Sequence, residues 1–202
     1  MTLQPLTPGP RDPGRSFRAM GPGQWIFLAS MVALDFAFGL VVKPLMHATG
    51  IGSVVKPEML FPAMVLALTR LTLDRFGTAT IYQTTWGCLA LVLMPMAVLP
   101  GPLKLIPMAF QGLVVDAVYS GGRRLGHARV FAAAICASVA GGAMIALMRV
   151  AMGLPWAKAT QVLFGVQFLI ALAVHLAGAA LALAVWRRVQ GLQALELLRV
   201  RP

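Results

Sequence analysis

The sequence predicts an all-α membrane protein built as a six-transmembrane-helix bundle. Three observations lead there. Of the 202 residues, 59% are hydrophobic and only 11% are charged, where a soluble domain carries roughly 25% charged residues. The mean hydropathy is +0.81, so a water-soluble fold of this size would have too few charges to cover its surface. The apolar residues also gather into six stretches, at 24–45, 59–72, 76–99, 103–120, 128–152 and 161–186.

A bilayer core takes about 20 helical residues, with a working range of about 17–25. Five stretches meet that length. The second, Met59 to Leu73, is short, with Pro62 near its start and Arg70 and Asp74 at its end. It reads as a short tilted helix or a half-span, and the charge bias decides between them. With six crossings, Arg11, Arg15, Arg18, Arg70, Arg75, Arg123, Arg124, Arg129, Arg187, Arg188, Arg199 and Arg201 share one side, against Lys43, Lys56, Lys104, Arg149 and Lys158 on the other. The positive-inside rule makes the first side cytoplasmic. Five crossings would put the two basic tails on opposite sides, so six is preferred, with both termini in the cytoplasm.

Residues 1–23 hold Pro5, Pro8, Pro10, Pro13 and Pro22 among their arginines. That composition cannot build a core and predicts a disordered cytoplasmic tail. The apolar run after it exceeds a signal-peptide core of 7–15 residues and reads as a retained span. The transmembrane domain is expected over 24–188, followed by a short cytoplasmic tail over 189–202. The net charge of +11 is spread singly or in pairs, without the clustered face that nucleic-acid binding needs. Anionic membrane lipids are the expected counter-charge. Cys88 and Cys136 lie in apolar segments without disulfide or metal-ligand spacing, and no cofactor is expected.

Helix one carries Ala29, Ala33 and Ala37, spaced by four and therefore on one face. Small residues at this spacing let another membrane helix approach closely, either within the bundle or from another subunit. Asp35 lies near the middle of the same helix, where an ionised carboxylate must face protein or a cavity. His175, near the middle of helix six, is its candidate partner, the alternative being a single interhelical hydrogen bond. Helix four places Gln111 near mid-span, able to read a substrate's hydrogen-bonding edge. Asp116 lies deeper, close to Arg123 and Arg124, as an anchor of the cytoplasmic end. On the external half, Glu58, Phe61, Arg149, Trp156, Gln161 and Gln167 are candidate pocket linings, since a small-ligand site combines apolar walls with a few polar groups. The longest external connection, His47 to Glu58, mixes glycines with apolar residues and suits a loop folded over a cavity. The sequence has no nucleophile elbow, no His-Glu-x-x-His helix and no phosphate-cradling Gly-x-x-x-x-Gly-Lys loop, so the common hydrolases and ATPases lack their parts.

The size, the short second span, the external first loop, the Ala29-x-x-x-Ala33-x-x-x-Ala37 face and helix four together resemble the substrate-binding S components of energy-coupling-factor (ECF) transporters. The stretch Pro102-Leu-Lys-Leu-Ile-Pro-Met-Ala-Phe-Gln-Gly-Leu-Val-Val-Asp116 is similar to the YkoE-type branch, associated with thiamin-precursor uptake; that branch ends the pattern in glutamate where this chain has Asp116. The resemblance covers roughly 24–188. It implies a subunit in the cytoplasmic membrane of a prokaryote that captures a vitamin or vitamin precursor outside. A separate membrane coupling (T) subunit and two cytoplasmic ATPase subunits would supply the energy. It also implies an external pocket among the first loop and helices four to six, with Ala29, Ala33 and Ala37 as the coupling-subunit contact. Two other readings stand beside it: a non-transporting anchoring or assembly subunit, and a small intramembrane enzyme using Asp35 and His175.

Overall fold

The computed structural model describes residues 20–49, 59–93, 99 and 101–192. Among these every regular element is helical: α1 (Pro22–Thr49), α2 (Leu60–Leu73), α3 (Thr78–Leu93), α4 (Leu105–Gly121), α5 (Ala128–Ala151), α6 (Trp156–Phe164) and α7 (Val166–Val189). Short 3-10 turns, Gly101–Lys104 and Gly122–Leu125, lead into and out of α4. Nearly all of the tail expected over 1–23, most of the His47 to Glu58 loop and most of the C-terminal tail lie outside the described residues, as does Glu58 itself.

Local chemistry explains where the helices stop. Pro62 and Pro107 fall in the first turns of α2 and α4, where a missing N–H costs no helical bond. α2 ends at Asp74, whose left-handed backbone (φ 37°, ψ 41°) turns its N–H back onto the Arg70 carbonyl; aspartate tolerates this region better than most residues. Gly77, at φ 91°, completes a turn that no β-branched residue could make. Along the helices, Ser30, Thr69, Thr72, Thr84 and Ser138 each return their hydroxyl to the carbonyl four residues back. This hides a polar group within its own helix.

The helices close into a ring. α1 packs on α2 and α3, α2 on α7, α7 on α5, α5 on α4, and α4 on α3, while α6 lies against α5 and α7. Glycines set the two tightest crossings. A Cβ at Gly178 would come within 2.7 Å of the Ala63 Cβ, fixing the α2–α7 contact, and one at Gly112 would come within 2.7 Å of the Ala79 carbonyl and Thr80 Cα, fixing α4 on the start of α3.

Polarity is arranged inside out. Arg70, Asp116, Asp35 and Tyr82 are each no more than 2% exposed, while Ile26, Val41, Val92 and Val166 are between 68% and 79% exposed on the outer surface. In water such a surface drives aggregation. Facing lipid, it needs no cover.

Four segments are long and apolar enough to cross a membrane: Pro22–Met46, Gly101–Leu125, Ala128–Ala151 and Trp156–Val189. α2, with 14 residues, reaches about 21 Å at 1.5 Å per residue, and α3 is described over 16. The sixth stretch differs from the single helix expected over 161–186. Gly165 takes an extended conformation (φ −78°, ψ 162°) and divides it into α6 and α7. Two basic residues in the charge count are buried. Arg70 is 1% exposed and Lys104 is 7% exposed, because each finds partners inside the bundle.

Candidate functional site

The one charged cluster described within the bundle joins α2, α3, α4 and α5. Asp116 reaches from α4 to the start of α3, where its carboxylate accepts the Ala79 N–H at 3.2 Å, the Thr80 N–H at 2.9 Å and the Thr80 hydroxyl at 2.8 Å. These are N–H groups that a helix leaves without an internal partner at its first turn, and the helix dipole favours an anion there. At the other end of α3, the Lys104 ammonium donates to the Ala90 carbonyl at 2.8 Å, where the dipole favours a cation. The segment from Lys104 to Asp116 therefore brackets α3 with complementary charge at both ends. This corrects the assignment of Asp116 to Arg123 and Arg124, both of which are exposed.

Arg70 is the cation facing Asp116. Its Nε lies 3.0 Å from Asp116 Oδ1, with the N–H pointing off the oxygen, so that contact is coulombic rather than a hydrogen bond. The guanidinium donates from Nη2 to Ser120 Oγ at 2.8 Å and approaches Asp74 Oδ1 from Nη1 at 3.5 Å. It also lies over the Tyr119 ring, 4.4 Å from the centroid, and Arg129 of α5 sits 3.9 Å from the same centroid. Arg129 in turn approaches Asp74 at 3.8 Å. Two arginines thus face two aspartates across one aromatic ring, and the cluster has no net charge. It forms a tie rather than an anion trap.

Beside the tie lies a slot between α2, α4, α5 and α7. Ala63, Ala67 and Arg70 line it from α2; Gln111, Val115 and Tyr119 from α4; Val130, Ala133, Ala134 and Ala137 from α5; and His175 and Ala179 from α7. The three-and-four spacing on each helix brings one face of each to the slot, and the alanines leave it open. The slot is mostly apolar and partly open to the outside of the bundle. His175 lies 2.7 Å from the Ala171 carbonyl through Nδ1. A carbonyl only accepts, so Nδ1 is assigned the proton and Nε2 the lone pair.

Asp35 and His175 each have a described hydrogen bond. Asp35 accepts the Tyr82 hydroxyl at 2.7 Å, joining α1 to α3, while the described bond of His175 returns to its own helix. Tyr82→Phe is expected to lower stability by about 1–3 kcal/mol, the cost of withdrawing a donor from a buried acceptor. Asp35→Asn, which keeps an acceptor for Tyr82, should lose less. Unfolding in mixed micelles measures both, and an unchanged Tyr82→Phe protein would refute the link.

The candidate pocket residues fall at several places in the bundle. Gln111 lines the slot. Phe61 instead stacks on Phe38 at 4.2 Å, Arg149 is half-buried at the end of α5, and Trp156, Gln161 and Gln167 lie exposed on α6 and α7. Glu58 is outside the described residues. The slot runs from Ala63 and Gln111 to Arg70, Tyr119 and Val130 near the α2–α3 and α4–α5 turns. Ala29, Ala33 and Ala37 are all exposed on α1, so this face is not consumed by packing within the bundle.

Comparison with protein families, with curated proteins and with solved structures finds no match. Function therefore rests on the residues themselves. Among the described residues no group of three or more His, Cys, Asp or Glu side chains could hold a metal ion. Sequence reasoning missed Arg70, Tyr119, Tyr82 and Lys104 as interior partners. A signal existed for two: Arg70 and Lys104 stand inside apolar runs, and a charge within a span marks an interior partner.

Proposed function

We propose that the chain is a six-span membrane subunit with cytoplasmic termini that works in association with other membrane subunits, as the substrate-capturing S component of an ECF-type importer of a vitamin or vitamin precursor. The observation that supports this reading best is the outward placement of Ala29, Ala33 and Ala37 on α1. A close-approach face left on the outside of the bundle suits a helix of a coupling subunit, since small residues let backbones meet in a membrane. The apolar exterior and charged interior suit a bilayer surround. A thiamin precursor is the favoured cargo on the likeness of helix four alone.

The spread of Phe61, Arg149, Trp156 and Gln167 over α2, α5, α6 and α7 favours a second reading, a non-transporting anchoring subunit. One set of measurements separates the two. On the first reading, Ala33→Leu abolishes co-purification with a coupling subunit while leaving ligand stabilisation intact. The purified subunit also gains thermal stability from one member of a panel of vitamins and precursors, and Gln111→Leu weakens that binding roughly 5- to 150-fold, the range of an unpaired buried hydrogen-bonding group. A folded protein with no stabilising ligand leaves the anchoring reading. A ligand insensitive to Gln111, Gln167 and Glu58 moves the site.

A further inference from the structure

The lengths of α5 and α7 assign a position to the short helix between them. α7 alone has 24 residues, about 36 Å at 1.5 Å per residue, enough to cross a hydrocarbon core of about 30 Å. Its last turns carry Trp186, Arg187 and Arg188, residue types that settle at a headgroup boundary. About 20 residues back, the opposite boundary falls at Val166, beside the break at Gly165. α5, also 24 residues, has Arg129 near one end and Arg149 near the other, so its Arg149 end marks the same boundary. Pro155, the N-cap of α6, follows a few residues later. α6 therefore begins and ends at one depth.

A continuous helix from Trp156 to Val189 would have 34 residues and reach about 51 Å, some 20 Å more than the core. The extended Gly165 interrupts it where the core ends. The side chains of α6 fit a helix lying along the surface. Trp156 is 59% exposed and Lys158 and Gln161 are exposed, while Ala159 is 1% exposed and turned inward. Tryptophan settles at the interface, and lysine extends its ammonium to the phosphates while its methylenes stay in apolar surroundings.

We infer that α6 is an interfacial helix that docks on the phospholipid headgroup layer, with Trp156 seated in the interface and Lys158 reaching the lipid phosphates. This does not depend on the transporter reading. The test uses the full chain with Trp25, Trp86 and Trp186 replaced by phenylalanine, in vesicles of phosphatidylcholine and phosphatidylglycerol. Lipids brominated near the headgroup end of the acyl chain should quench Trp156 more than lipids brominated near the chain terminus. Stronger quenching by the deep label would mean that α6 crosses, and none by either that it is held off the lipid; both overturn the inference. In a background with all four tryptophans intact, a membrane-impermeant maleimide applied to both leaflets should label Lys158→Cys and spare Ala159→Cys. Equal labelling of the two also overturns it.

Discussion

Asp116→Leu is expected to lower stability by about 3–5 kcal/mol, the largest single loss among the polar residues. Removing one member of a buried ion pair leaves the other poorly compensated, here Arg70, which is 1% exposed and keeps Asp74, at 3.5 Å, as its acidic partner. The same substitution also strips the first turn of α3 of its carboxylate, orphaning the N–H groups of Ala79 and Thr80. The double variant Arg70→Leu with Asp116→Leu separates the two effects. It should lose less than the sum of the single variants, because no charge is left unpaired, yet should not recover fully, because α3 remains uncapped. Reversible unfolding in mixed micelles reads all three, and strict additivity would mean that the two residues are not coupled.

Gly112→Ala is expected to cost about 1–3 kcal/mol by overpacking. The added methyl meets the backbone of Ala79 and Thr80 at 2.7 Å, and backbone cannot swing aside as a flexible side chain can. Gly121→Ala serves as the control. Nothing lies within 4 Å of that position, and alanine is the better helix former by about 0.8–1.0 kcal/mol, so it should be neutral or stabilising. Gly112 is one turn before Asp116, so an α4 pushed away from α3 also lengthens the carboxylate's bonds to Ala79 and Thr80. The loss from Asp116→Asn should therefore shrink when Gly112→Ala is already present. Equal destabilisation by Gly112→Ala and Gly121→Ala would show that the crossing is loose.

Much of the architecture was legible from local pattern. An apolar composition with few charges determined an all-helical chain with membrane-length spans, since a backbone in lipid must satisfy its own hydrogen bonds. The small-residue spacing of Ala29, Ala33 and Ala37 put them on one face, and the polar amide of Gln111 marked α4 as turned inward at that point. The proline and glycine positions marked the ends of α2 and the approach to α4, because their effects on φ and on the N–H act within a turn.

What only the tertiary structure decided is which distant residues meet. Arg70 read as a cytoplasmic surface charge because it stands one turn from the end of α2; its partners Asp116 and Ser120 come from another helix. Asp116 read as an anchor for nearby arginines, and instead caps α3. Lys104 counted only as a charge on the external side, and it caps the far end of the same helix. Asp35 accepts the Tyr82 hydroxyl across α1 and α3, a partner that lies far along the chain. Periodicity gives each helix a face and a depth, but the relative rotation and height of two helices are set by where their backbones can touch, here at Gly112 and Gly178. That choice is made between segments far apart in the chain and leaves no mark within either one.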